Sequence, residues 1–129
     1  MKKKAYICSP LSAPTKQEMI ENMLMARQYM QKIREKFGYR TYAPHAYLPE
    51  LLDDHLPEER AVALSFGLEV LRLCDALIIC GKRISSGMNE ELYQVLLLKM
   101  EVYWYDEEDT GKLIRIRDRR QVHEMPVQR

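Results

Sequence analysis

The sequence predicts an α/β fold, a single domain of three layers (helix, sheet, helix) around a mostly parallel sheet of about five strands. Three observations carry that expectation. Short apolar runs alternate with longer segments of helical period, in the order β-α-β-α-β-α-β followed by a last short strand. The run Ala76 to Cys80 contains no polar residue, which is how a central parallel strand reads when both its faces are covered. Loops rich in serine, proline and glycine follow the carboxyl ends of the first three runs, where open α/β sheets bind ligands.

The first strand is Lys4 to Cys8, closed by a loop, Ser9 to Pro14, that contains two prolines. Thr15 and Glu18 have capping-box spacing for a helix whose apolar stripe is Met19, Met23, Ala26, Met30, Ile33 and Phe37. Gly38 stands where a helix C-cap belongs. Tyr39 to Ala43 reads as the second strand, and Pro44 to Pro49 as a loop at its end. Pro57 opens the second helix at its first position, with Val62, Phe66, Val70 and Leu73 as the stripe expected to face the sheet. The third strand is Ala76 to Cys80, and the third helix runs from Met88 to Met100. Val102 to Tyr105 is a further strand, and Lys112 to Arg117 alternates apolar and basic residues as an edge strand does. The domain is expected over 1–118, with a polar, loosely held tail over 119–129. Right-handed crossovers then bring three loops to one edge of the sheet: Ser9 to Pro14, Pro44 to Pro49 and Gly81 to Gly87.

The 129 residues suffice for one real core, and 47% of them are apolar. The formal net charge of +1 gives no electrostatic footprint for a nucleic-acid polymer or a membrane surface. No run reaches the length of a membrane span. The basic start Met1 to Lys4 precedes too short an apolar run for a signal peptide, so a cytoplasmic location is expected. Three cysteines, Cys8, Cys74 and Cys80, fit buried free thiols in a reducing compartment, and Cys8 can meet Cys80 if their strands are adjacent. His45, Asp53, Asp54 and His55 lack tight ligand spacing, so no metal site is expected.

Glu91 is the leading candidate for chemistry. Its neighbours at i−3 and i+4, Met88 and Val95, are apolar, which puts its carboxylate near the buried face of the third helix. A carboxylate held so, close to a helix N-terminus, can serve as a nucleophile or a base. The plainer reading is that Glu90 and Glu91 favour the positive end of the helix dipole and face water. His45, in the loop after the second strand, is a candidate ligand contact or a histidine bonded to backbone.

Four segments, in order, carry a resemblance: Tyr6-Ile7-Cys8-Ser9-Pro10, Ala43-Pro44-His45, Cys74-Asp75, and Ser85-Ser86-Gly87-Met88-Asn89-Glu90-Glu91-Leu92. Over residues 4 to 106 the chain resembles the nucleoside 2-deoxyribosyltransferase-like superfamily, especially small bacterial and phage members related to 2′-deoxynucleoside 5′-phosphate N-hydrolases. The resemblance implies a Rossmann-like (flavodoxin-like) sandwich. It implies cleavage or transfer of an N-glycosidic bond in a nucleoside or nucleoside 5′-monophosphate. Glu91 would be the nucleophile, and Tyr6 would hold it or the sugar. Ser9, Pro10, Leu11, His45, Gly81, Ser85, Ser86, Gly87 and Met88 would bind substrate. No cofactor is implied. A homodimer or dimer of dimers is expected, with the Met-rich first helix or Tyr103 to Tyr105 as its interface. Two aspartates of the transferases are absent, with Ser85 at one position and Gly67 near the other. The alternative expectation is therefore a module of the same fold that binds or senses a nucleotide without turnover.

Overall fold

A computed structural model describes residues 2–53 and 55–125 of the chain. Five strands form one sheet in the order β2-β1-β3-β4-β5. They are β1 (Lys4–Cys8), β2 (Arg40–Tyr42), β3 (Ala76–Ile79), β4 (Glu101–Asp106) and β5 (Lys112–Ile116). The first four run parallel, and β5 returns antiparallel beside β4. Helix α1 (Lys16–Phe37) covers one face, packing Ala26, Tyr29 and Ile33 on Ala5, Ile7 and Ile78. Helices α2 (Pro57–Arg72), α3 (Ser86–Leu97) and α4 (Arg119–Glu124) lie on the other, over Tyr6, Cys8, Leu77 and Ile79. The fold is the expected mostly parallel three-layer sandwich.

Local chemistry sets the element ends. The Thr15 hydroxyl accepts the Glu18 N–H at 3.1 Å and starts α1. Gly38 ends it in the left-handed region at φ 76°, its N–H returned to the Arg34 carbonyl. Proline opens α2, and the Ser85 hydroxyl caps α3 by accepting the Met88 N–H at 3.3 Å.

Three expectations need correction. In α2 the stripe Val62, Phe66 and Leu73 does not face the sheet: these side chains are 56%, 52% and 71% exposed, whereas Leu71 is buried. The helix is apolar over so wide an arc that its period alone does not choose the buried edge, and a cavity separates its N-terminal half from the sheet. Cys8 and Cys80 meet through the backbone, the Cys80 N–H donating to the Cys8 carbonyl at 2.8 Å, but their side chains fall in different core layers, since side chains alternate along a strand. All three cysteines are free and buried. The segment after Asp118 is no loose tail over its first part, because α4 forms there and buries Val122 and Met125 in the core. Positions 126–129 lie outside the described residues. Among the described residues no helix is long and apolar enough to cross a membrane.

Candidate active site

The parallel register of β1 on β3 pairs Tyr6 with Leu77 and Cys8 with Ile79. Tyr6 and Cys8, two residues apart, therefore point to the same face, toward α3. On α3 the buried residues Met88, Leu92 and Val95 anchor the helix on the sheet and carry Glu91 inward with them. Three groups meet there. The Tyr6 hydroxyl donates to the Glu91 carboxylate. The Cys8 thiol donates to its Oε1 from 3.8 Å, a long but permissible sulfur contact.

Burial dominates the electrostatics. It pushes the Glu91 carboxyl up to about 7, although the hydrogen bonds from Tyr6 and Cys8 pull the other way. Glu91 sits in the second turn of α3, beyond the reach of most of the helix dipole. Tyr6 is held above the usual phenol range by burial and then by the Glu91 charge, and burial raises the Cys8 thiol likewise. Both keep their protons and remain donors.

Glu91 lines a cavity of about 540 Å³ between the carboxyl end of β1, α2, the N-terminal part of α3, and the two 3-10 turns after β2, Pro44–Ala46 and Leu48–Glu50. His45, in the first of these turns, places Nε2 2.8 Å from Ser9 Oγ. Burial drives its pKa down to about 4, so the ring is neutral at pH 7. The far end of the turns is pinned by Arg27, whose guanidinium pairs with Glu50, stacks on Tyr47 and donates to the Ala46 carbonyl.

Of the residues the sequence nominates, Tyr6, Ser9, Leu11, His45 and Glu91 line this cavity, as do Ser85, Ser86, Gly87 and Met88 from the start of α3. Pro10 and Gly81 do not. They lie against each other in a smaller depression of about 240 Å³ behind Ser9. Gly81 is at φ 103°, and a Cβ there would stand 3.3 Å from Pro10 Cδ, so the pair shapes the loop and does not face Glu91. The Ser85 hydroxyl serves as a cap acceptor, which leaves its proton to donate into the cavity.

The sequence did not reveal the wall supplied by α2, namely Ala63, Leu64, Gly67 and Leu68, nor that of Leu48, Pro49 and Leu52. One signal was present. A lone glycine within a helical pattern often marks a close approach, and a Cβ on Gly67 would lie 3.4 Å from the Tyr6 hydroxyl oxygen. Among the described residues no group of His, Cys, Asp and Glu side chains could hold a metal ion, and Asp54 lies outside them.

Comparison with known proteins adds two findings. The model of a family described as "Domain of unknown function (DUF7768)" matches residues 3–105, which is β1 through most of β4. The fold is shared with a solved 2-deoxyribosyltransferase from the psychrotolerant bacterium Bacillus psychrosaccharolyticus. That match has a TM-score of 0.59 at 21% identity and covers 86% of this chain and 76% of the other. No curated protein matches the chain.

Proposed function

The chain belongs to the DUF7768 family, and we propose that it cleaves or transfers the N-glycosidic bond of a nucleoside or nucleoside 5′-monophosphate with Glu91 as the nucleophile. One observation carries this reading: a buried carboxylate, bonded by Tyr6 and Cys8, faces a cavity of nucleotide size. The shared fold with a 2-deoxyribosyltransferase supports it.

On this reading the ionised Glu91 attacks C1′ of the sugar. The C1′–N bond breaks, and its electron pair leaves with the base. The Tyr6 hydroxyl and the Cys8 thiol orient the carboxylate so that one oxygen lone pair points at the sugar. Water or a second base then attacks C1′ of the glycosyl ester and returns the carboxylate, as in retaining glycosidases. On the same reading the neutral His45 and Ser9 bond sugar hydroxyls, and Ser85 and Ser86 at the α3 N-terminus bond a 5′-phosphate, which their place in the cavity lining supports.

The test is chromatographic release of free base from nucleosides and their 5′-monophosphates as a function of pH. A protonated Glu91 cannot attack, so kcat/KM is expected to rise with pH and level off above a midpoint near 7. A rate that falls across this range would assign Glu91 an acid's role.

The same reading includes a homodimer or dimer of dimers. Support comes from the exposed apolar side chains Val62, Leu64 and Phe66 on α2, Tyr93 and Leu97 on α3, and Leu98 at its C-cap, two helices on the same face. Of the two segments expected to supply the interface, Tyr103 to Tyr105 packs on the core, whereas the first helix still exposes Ile20, Leu24 and Met25. Light scattering is expected to give at least twice the 15.3 kDa chain mass, and Phe66→Glu to lower it. A monomer at working concentration would end this assignment.

A further inference from the structure

We propose that the leaving group this site accepts is a cationic nitrogen heterocycle, a pyridinium or an N7-alkylated purine, because among the described residues the cavity holds no side chain placed to protonate a departing neutral base. The inference rests on the glycosidase reading and narrows its substrate class.

The cavity's ionisable side chains, among the described residues, are Tyr6, His45, Glu59, Arg60, Glu90 and Glu91. Arg60 and Glu90 are exposed and belong to the mouth. Glu59 is half-buried and turned to the 3-10 loop, where its Oε1 accepts the Asp53 N–H at 2.8 Å. Glu91 is committed as the nucleophile. The Tyr6 hydroxyl is directed at Glu91 as a hydrogen-bond donor and keeps its proton, since burial and the Glu91 charge hold it above the usual phenol range. His45 is unprotonated at neutral pH, and a neutral imidazole is no acid. The wall of α2 opposite Tyr6 offers no acid either. Gly67 sits there, and a Cβ built on it meets nothing within 4 Å except the Tyr6 hydroxyl. Ser85, at the start of α3, is a hydroxyl with no useful acidity.

A neutral purine or pyrimidine acquires negative charge as its C1′–N bond breaks, and a positioned acid is worth about 10²- to 10⁴-fold in rate at that step. A heterocycle that already bears a positive charge takes the bonding pair and leaves neutral. The balance then closes inside the cavity: one carboxylate and one cation become one ester and one neutral base, with no proton moved. In the second half, water adds to C1′, its proton goes to solvent, and the Glu91 carboxylate is restored. A cation also suits the ground state. Opposite charges attract strongly where water is scarce, and a positive ring beside Glu91 favours its ionised form. Leu48, Leu68 and the Met88 thioether give the flat ring an apolar bed.

The experiment compares matched pairs. Guanosine is set against 7-methylguanosine, and nicotinamide riboside against inosine, each also as the 5′-monophosphate, with the purine pairs repeated in 2′-deoxy form. Base release by wild type is measured at pH 7.5 (a value set by the about-7 midpoint), and the Glu91→Ala protein supplies the background for spontaneous loss. After subtraction, the cationic member is expected to exceed its neutral partner by at least about 100-fold in kcat/KM. Its kcat is expected to level off at a lower pH than the free enzyme's midpoint. Equal release within a pair, or preference for the neutral member, would overturn the substrate class and leave the glycosidase reading standing. Release from no compound would remove the glycosidase reading and this inference with it.

Discussion

Glu91→Gln is expected to lower base release by about 10³-fold or more while ligands still raise the melting temperature. The amide has the volume of the carboxyl, and its carbonyl oxygen can accept the bonds from Tyr6 and Cys8. It cannot form the glycosyl ester, so the loss falls on kcat and leaves binding within a few-fold. The pairing of readouts matters. A variant that lost binding and turnover together would point to a collapsed cavity. A variant that kept turnover would remove Glu91 from the chemistry.

The second large effect concerns stability and arises because two buried groups have opposite linkage. Burial moves Glu91 from its ordinary value of 4.5 to about 7 on folding, so the folded chain binds its proton more tightly. That contribution is fully present below pH 4.5 and is lost as pH rises through 7, and it amounts to about 3 kcal/mol. His45 moves from 6.5 to about 4, so its contribution is present above pH 6.5 and is lost as pH falls through 4. The two windows overlap and the slopes nearly cancel, so these groups leave the wild type almost flat in pH. Glu91→Gln is expected to unmask the His45 slope, with stability rising by about 3 kcal/mol between about pH 4 and pH 7. His45→Asn is expected to unmask the Glu91 slope, with stability falling over a similar range. Urea titrations at a series of pH values read both. Variants that track the wild type at every pH would show that neither group is held as described.

The strength of local rules decided what the sequence revealed. β1 was legible to the residue because Ser9-Pro10 ends it, and α1 because Thr15 and Gly38 mark both its ends. The apolar run of β3 identified the middle of the sheet, which placed the Gly81 to Gly87 loop and Glu91 at its carboxyl edge. The orientation of α2 is not legible from the stripe Val62, Phe66 and Leu73, because apolar residues extend round most of the helix outside the narrow arc of Glu58, Ser65, Glu69 and Arg72. What turns it is a cavity, which has no signature in hydrophobic period. From the sequence, Cys8 reads as a core thiol. Its second role follows from strand alternation beside Tyr6, but a thiol's partner depends on a helix 83 residues away in the chain. The helix α4 is hidden in the sequence by a polar composition, although Val122 and Met125 reach the core. Its start was readable in principle, since Asp118 and Gln121 have capping-box spacing and the Asp118 carboxylate accepts from Arg120 N and Gln121 N.

The central claim is a covalent ester on Glu91, and the stereochemistry of transfer tests it most directly. Wild-type protein is incubated with the substrate that releases base fastest, in the presence of methanol, and the methyl glycoside is identified by NMR. Two displacements at C1′ return the configuration of the starting β-nucleoside, so the β-methyl glycoside is expected. The α-methyl glycoside would mean a single displacement in which Glu91 acts as a base. If no panel compound reacts while a nucleotide still raises the melting temperature, the site binds without turnover and the catalytic account fails.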